Sequence, residues 1–354
     1  MIVIGADTHK SSHTIAAIDA TTGEVLGDKT AAARPAGFGE LVLWARAKDA
    51  ERVWAIEDCR HVSGGLERFL IARGEIVVRV APRLMARARS TTRQRGKSDN
   101  IDAVAVARAA LAEGPGRLPA ARLAGIELEI RLLVDHRERL VGQRTALVND
   151  LRWHLHDLWP ELEIPLRSLN SDRWQQTIAG RLTRAEQVAR VRVARDELRR
   201  IRELTRKINA LQAEIAGFVA QVAPQLLDEV GCGPLTAAKL IAEIAGIDRF
   251  TTDAQLARSC GVAPIPASSG RRQRHRLDRG GNRQLNCALH RLAVNKGRLD
   301  PRTAAKLTRK QAEGMSRMEA LRCLKRHLAR RIFHLMTTNN TNPLKTAAPT
   351  AALT

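Results

Sequence analysis

Short apolar runs separated by turns open the chain. Ile2-Val3-Ile4-Gly5-Ala6-Asp7 is a buried-strand pattern that ends in an acid, and His13 to Asp19 followed by Gly23-Glu24-Val25-Leu26 predicts a hairpin through Thr21-Thr22-Gly23. Gly37 to Lys48 has helical spacing. Arg52 to Glu57 is another strand ending in an acid, Ser63 to Arg73 is helical again, and Glu75 to Val80 is a further strand. Strands mixed with helices in this way predict an α/β layer fold.

From Ala86 to Lys97 the chain is crowded with arginine, and Asp99 to Leu111 predicts an alanine-rich helix closed by Gly114-Pro115-Gly116. That punctuation sets a first domain over 1–116. Arg122 to Leu158 and Arg184 to Val222 are long, charged and almost free of Gly and Pro, with Leu, Val and Ile at steps of three and four. They predict a helical hairpin or coiled-coil stalk over 117–222, its first helix stopped by Trp159-Pro160 and Pro165.

A mostly α-helical domain is expected over 223–336. It begins with the turn Gly231-Cys232-Gly233 leading into a helix toward Ile244. This turn resembles a helix-hairpin-helix element, in which Gly231 and Gly233 would expose backbone N–H groups to a phosphate; a plain helix-capping turn is the alternative. The Thr/Asn/Ala/Pro-rich segment 337–354 is expected to be a disordered tail.

Charge changes the picture. The 354 residues carry 59 Lys+Arg against 37 Asp+Glu, a formal net charge of +22, which is too large an excess for ordinary solubility and points to a polyanionic partner. Arginine dominates the excess, and its planar fork suits phosphate, so nucleic acid outranks a membrane surface. Aromatic residues are only 3%, which disfavours a base-stacking platform and leaves phosphates and shape as the basis of binding. With no tyrosine anywhere, recombination through a phosphotyrosine is excluded, and so is a relaxase reading of His154 and His156. Five cysteines without CxxC spacing argue against a disulfide framework or a zinc site and fit a reducing cytoplasm; no stretch approaches a membrane span.

Two-metal phosphoryl chemistry needs several carboxylates converging on ions about 3.5–4 Å apart. Asp7 and Glu57 each end an apolar run and would emerge side by side if their strands are neighbours, with Asp58 as second choice. Asp99 and Asp102, spaced i,i+3, share one face of the helix that starts there. Singly, each acid reads as a turn or helix-capping residue. Together they sit beside a basic run containing Arg93, Arg95 and Lys97 that could hold DNA against them.

A second constellation runs from Gly261 through Ser268-Ser269-Gly270 into Arg271, Arg272, Arg274, Arg276, Arg279 and Arg283. A serine there can approach a phosphodiester whose charge the guanidiniums neutralise, and a covalent phosphoserine would preserve the bond energy for rejoining. A Ser-Gly turn on a DNA-contacting loop is the plainer alternative.

Gly5-Ala6-Asp7-Thr8-His9-Lys10, Glu57, Lys97-Ser98-Asp99 with Asp102-Ala103, and Gly261-Val262-Ala263-Pro264 through Ser269-Gly270 to Arg279-Gly280-Gly281-Asn282-Arg283 together resemble the IS110-type insertion-sequence transposases. The resemblance runs from Ile2 to near Met336. It implies a RuvC-like N-terminal domain of ribonuclease-H fold, with Asp7, Glu57, Asp99 and Asp102 as ligands to Mg2+, two ions per site. It further implies a coiled-coil stalk and a C-terminal transposase domain with a nucleophilic serine. The family's serine precedes the glycine, which selects Ser269, though Ser268 stands beside it. Glu57-Asp58-Cys59 departs from the Glu-Ala-Thr of many relatives. Family resemblance also implies a structured non-coding guide RNA that pairs with donor and target DNA, and a homo-oligomer, a dimer or dimer of dimers, whose active sites are shared between subunits.

The expected function is RNA-guided, Mg2+-dependent strand cleavage and exchange. A hydrolytic junction-type endonuclease and a non-catalytic nucleic-acid-binding protein are the alternatives.

Overall fold

The computed structural model describes residues 1–57, 60–82, 84–85, 98–118, 120–121, 125–267, 275–276, 278 and 280–338, without the side chains at 60 and 61. The chain divides into two compact units, Met1–Leu128 with Ala223–Thr354, and Glu129–Val222.

The first unit is built on a five-stranded sheet. In chain order its elements are β1 (Ile2–Thr8), β2 (Ser12–Asp19), β3 (Val25–Ala32), helix α1 (Pro35–Lys48), β4 (Arg52–Glu57), helix α2 (Arg60–Ile71) and β5 (Ile76–Val80). The strand order is β3-β2-β1-β4-β5. β1, β2 and β3 pair antiparallel as the hairpin pattern predicts, whereas β4 runs parallel to β1 and to β5. Every residue of β1 is buried, because both faces of the sheet are covered and an alternating pattern would expose nothing useful to water. Ile2, Ile4, Trp54 and Ile56 pack on Phe38, Leu41 and Leu66 of α1 and α2. Val3, Val53, Ala55 and Val78 pack on the other side against Val106, Ala107 and Ala110 of α3 (Asp99–Glu113).

Two buried acids tie this layer together. Glu75 accepts from Arg52 at 2.7 Å through both Nε and Nη2, from Trp54 Nε1 at 3.0 Å and from Arg46 at 3.0 and 3.1 Å. Glu67 receives Arg79 Nη2 at 2.7 Å on each oxygen, anchoring α2 to β5. β3, at the edge, is largely exposed and carries Asp28 and Lys29, charges that discourage pairing with another chain.

The second unit holds most of α4 (Ile126–Leu158), then α5 (Asp172–Arg184) and α6 (Ala189–Val222). α4 and α6 run antiparallel: Arg137 donates to Gln212 at 2.9 Å, and Arg144 to Thr205 at 3.3 Å, so partners descend one helix as they climb the other. Leu151 and Leu155 of α4, Ile178 and Leu182 of α5, and Ala194, Leu198 and Ile201 of α6 form the core. α5 occupies a segment that the sequence pattern reads only as the turn between two long helices. Its apolar signal is thin, and burial of Ile178 and Leu182 against the long helices makes it a helix.

The chain re-enters the first unit as a mostly helical region: α7 (Pro234–Ile244), α8 (Asp253–Ser259), a ribbon of β6 (Ile265–Pro266) with β7 (His275–Arg276), α9 (Arg283–Leu299), α10 (Pro301–Ala312) and α11 (Arg317–Thr338). Leu240, Ile241, Leu256, Leu285, Leu289, Leu292, Leu324 and Leu328 are buried here. Among the described residues no helix is long and apolar enough to cross a membrane.

Candidate functional site

Parallel pairing of β1 with β4 sets Ala6 opposite Ile56, so Asp7 and Glu57 occupy neighbouring positions at the same end of the sheet. Side chains alternate along a strand, which puts Gly5 and Asp7 on the face covered by α3, and Glu57 on that face too; His9 follows just past the end of β1. Gly5 is what lets the helix come close: a Cβ there would stand 2.1 Å from the Ala103 carbonyl oxygen and 2.5 Å from the Ala107 nitrogen. α3 therefore lies directly on β1. Its first turn, capped by Ser98 accepting from the Ile101 amide at 3.3 Å, carries Asp99 and Asp102 to the end of the strand.

The result is a cluster of charge. His9 Nε2 lies 3.1 Å from Asp7 Oδ2 and 3.4 Å from Asp99 Oδ1. One ligand atom from each of Asp7, His9 and Asp99 falls within 4.8 Å of the others, which fits a small cation. Burial pushes the Asp7 carboxyl above its ordinary range; His9 opposes this, and the nearby carboxylates of Asp102 and Asp99 add to it. Asp7 and Asp102 are buried, Glu57 is half-buried and Asp99 is exposed. Glu57 and Asp102 stand outside the 4.8 Å grouping. Carboxylate oxygens with one imidazole make a donor set suited to a divalent ion, and a buried, crowded carboxylate such as Asp7 is one whose ionised form a cation would stabilise.

His9 was not anticipated as a donor. A signal was present, since His9 follows Asp7 by two residues just past the end of β1 and can turn back to it.

The basic loop is held at its base. A Cβ on Gly281 would stand 2.0 Å from the Gly261 nitrogen, so the two ends of the loop touch backbone to backbone. Asn282 clamps them: its amide donates to the Ser259 carbonyl at 2.6 Å, its Oδ1 caps α9 by accepting from Gln284 and Leu285, and its Nδ2 donates to Glu243 at 2.7 Å. Asn286 Nδ2 donates to the Cys260 and Gly261 carbonyls, and buried Lys325 donates to Asn286 Oδ1 at 2.9 Å. A pocket of about 450 Å³ opens beside this clamp, lined among others by Pro264, His275, Arg276, Arg322, Lys325 and His327.

Arg276 is exposed on β7 and Arg283 is exposed at the start of α9. Gly231 has φ +87° and presses on the backbone of Asn295 and Lys296, while Gly233 opens on free space as the residue before α7. Asp58, Arg93, Arg95, Lys97, Ser268, Ser269, Arg271, Arg272, Arg274 and Arg279 lie outside the described residues.

Comparison with known proteins finds insertion-element transposases. A family model of DEDD-type IS110 transposases matches residues 4–160, and a model described as the transposase IS116/IS110/IS902 family matches residues 223–308. The chain is similar to the "Insertion element IS116 uncharacterized 44.8 kDa protein" of Streptomyces clavuligerus, 26% identical over 378 residues and covering 92% of each chain. It is also similar to the "Insertion element IS110 uncharacterized 43.6 kDa protein" of Streptomyces coelicolor, 32% identical over 130 residues, 36% of this chain and 32% of that one. Among solved structures it is similar to T. thermophilus RuvC in complex with a Holliday junction substrate, with TM-score 0.28 and 13% identity over 34% of this chain and 99% of that one.

Proposed function

Since this chain belongs to the IS110-type transposase family, we propose that it is an insertion-sequence DNA recombinase that cleaves and exchanges strands under the guidance of a structured RNA. Its N-terminal part is an α/β domain of ribonuclease-H-like type, and the family goes with divalent-metal use and DNA as partner. The observation that carries the reading is the approach of Asp7 and Asp99, from β1 and α3, to one imidazole nitrogen.

Asp7, Glu57, Asp99 and Asp102 would hold Mg2+, two ions per site, with His9 as an added donor. Such ions, when bound, polarise the scissile phosphate and stabilise the leaving oxygen. Ser269 is the nucleophile. Its Oγ forms a bond to phosphorus as the bond to the departing sugar oxygen breaks; the hydroxyl gives up its proton and the sugar oxygen gains one. Reversal on a new end rejoins the strand, which is why a covalent intermediate suits exchange better than hydrolysis. Arg93, Arg95, Lys97, Arg271, Arg272, Arg274, Arg276, Arg279 and Arg283, with the amides at Gly231 and Gly233, hold phosphates.

Residues 1–116 supply the acids, 117–222 a coiled-coil stalk that pairs subunits, and 223–336 the serine. Acids of one protomer and the serine of another complete each site in a dimer or dimer of dimers. The +22 charge with few aromatics supports a protein that leaves base reading to pairing.

The test is incubation of purified protein with the element's ends, its flanking RNA and Mg2+, followed by denaturing electrophoresis for a protein–DNA adduct. Ser269→Ala is expected to abolish adduct and strand exchange while Ser268→Ala keeps both. Continued cutting by Ser269→Ala, without adduct in the wild type, would establish hydrolysis and overturn the proposal.

A further inference from the structure

One face of α6 is rich in arginine, with Asp196 and Glu203 at its margin. Arg192, Arg195, Arg199, Arg202 and Arg206 follow steps of three and four, the spacing that keeps side chains on one side of a helix. The row spans about 21 Å at 1.5 Å per residue. It flanks the inward face, where Val191, Ala194, Leu198 and Ile201 are buried. All of these arginines are exposed except Arg202, which is half-buried. Together with Ala179 and Thr183 of α5 they line a groove of about 560 Å³.

A solubilising helix face mixes signs, because like charges three and four residues apart destabilise a helix. Elsewhere the same unit does this, as in Arg131 with Asp135, while beside the row Glu203 pairs with Lys207. The groove holds one acid among the described residues lining it, Asp196, which pairs with Arg199. Two guanidiniums are already oriented: Arg195 donates to Gln187 Oε1 at 2.7 Å, and Arg202 to the Gln175 carbonyl at 2.9 Å. Among the described residues no aromatic side chain lines the groove, so stacking on bases is not what it offers. Guanidiniums in a straight, rigid row offer repeated phosphate contact.

The geometry points to a further DNA-binding surface: the arginine row of α6 binds the phosphate backbone of duplex DNA. It rests on the recombinase reading for its ligand and gives the helical unit a role besides spacing.

The experiment measures binding of the full-length protein to a labelled DNA duplex of arbitrary sequence and to an RNA duplex of the same sequence, across a salt series. One variant combines Arg192→Gln, Arg195→Gln, Arg199→Gln and Arg206→Gln. A control removes equal charge from the same unit at Arg139, Arg167, Arg173 and Arg200, all exposed. Each neutralised phosphate contributes about 0.9 to the slope of log K against log salt, so losing the row is expected to lower the slope for DNA by about three to four. The control lowers it by less than about one. Far-UV circular dichroism verifies that both variants keep their helices. Equal slopes for row variant and wild type, an equal drop in the control, or a loss confined to RNA each overturn the proposal. A wild type that binds no DNA at any salt would instead sink the recombinase reading from which it takes its ligand.

Discussion

Gly5 and Ala103 lie so close that a single methyl group on the glycine would stand 2.1 Å from the alanine's carbonyl oxygen. This contact sets the distance between β1 and α3, and with it the distance between Asp7 and Asp99.

Gly5→Ala must therefore push α3 off the sheet. Overpacking of this kind costs about 1–3 kcal/mol, and backbone on both sides leaves little room to yield. A lower denaturant midpoint together with weakened divalent-ion binding by calorimetry is expected. Unchanged ion affinity would show that the helix does not position the acids.

His9→Ala removes the imidazole that, among the described residues, groups with the two acids. Nitrogen ligands favour Ni2+ over Mg2+, which prefers oxygen. The Ni2+ dissociation constant is expected to rise about tenfold, while that for Mg2+ changes by less than about threefold. Equal losses for the two ions would reduce His9 to a spacer between carboxylates.

The Glu75 carboxyl is nearly inaccessible. Burial would raise its pKa, but bonds from Arg52, Trp54 and Arg46 outweigh that and hold it below the ordinary 4.5. A depressed carboxylate contributes stability that is present above its unfolded value and lost as pH falls through its folded one. Thermal melts of the wild type should thus lose stability below about pH 4.5. Glu75→Ala should cost about 1–3 kcal/mol at neutral pH, because it leaves the half-buried Arg52 guanidinium and the buried Trp54 Nε1 without their acceptor. It should also flatten the acid decline; an identical pH profile in the variant would refute the assignment.

Asn282→Ala removes a helix cap, worth about 0.5–2 kcal/mol, and a bond to buried Glu243. Differential scanning calorimetry is expected to show a loss of about 2 kcal/mol. Asn282→Ser, which keeps the cap alone, should recover about half of it. Full recovery by serine would mean that the Glu243 bond contributes nothing.

Much of this molecule is legible along the chain. Continuous apolar runs at Ile2–Thr8 and Arg52–Glu57 mark strands covered on both faces, and the acids that end them emerge together because parallel pairing aligns like ends. The Ser98 cap and the i,i+3 spacing of Asp99 and Asp102 mark a helix start with two acids on one face. These are short-range properties of backbone geometry and side-chain period, and no other part of the chain is needed to read them. The helix Asp172–Arg184 is not so readable, because its few apolar residues become decisive only when Leu151, Leu198 and Ile201 offer them a surface.

The close approach at Gly5 and the meeting of His9 with Asp7 and Asp99 belong to the tertiary structure. A glycine in a strand permits contact without naming the partner. A histidine two residues past an aspartate can turn back to it without naming the second acid. Only packing of α3 across β1 brings the third group within reach of the other two, since that distance depends on backbone atoms far apart in the chain.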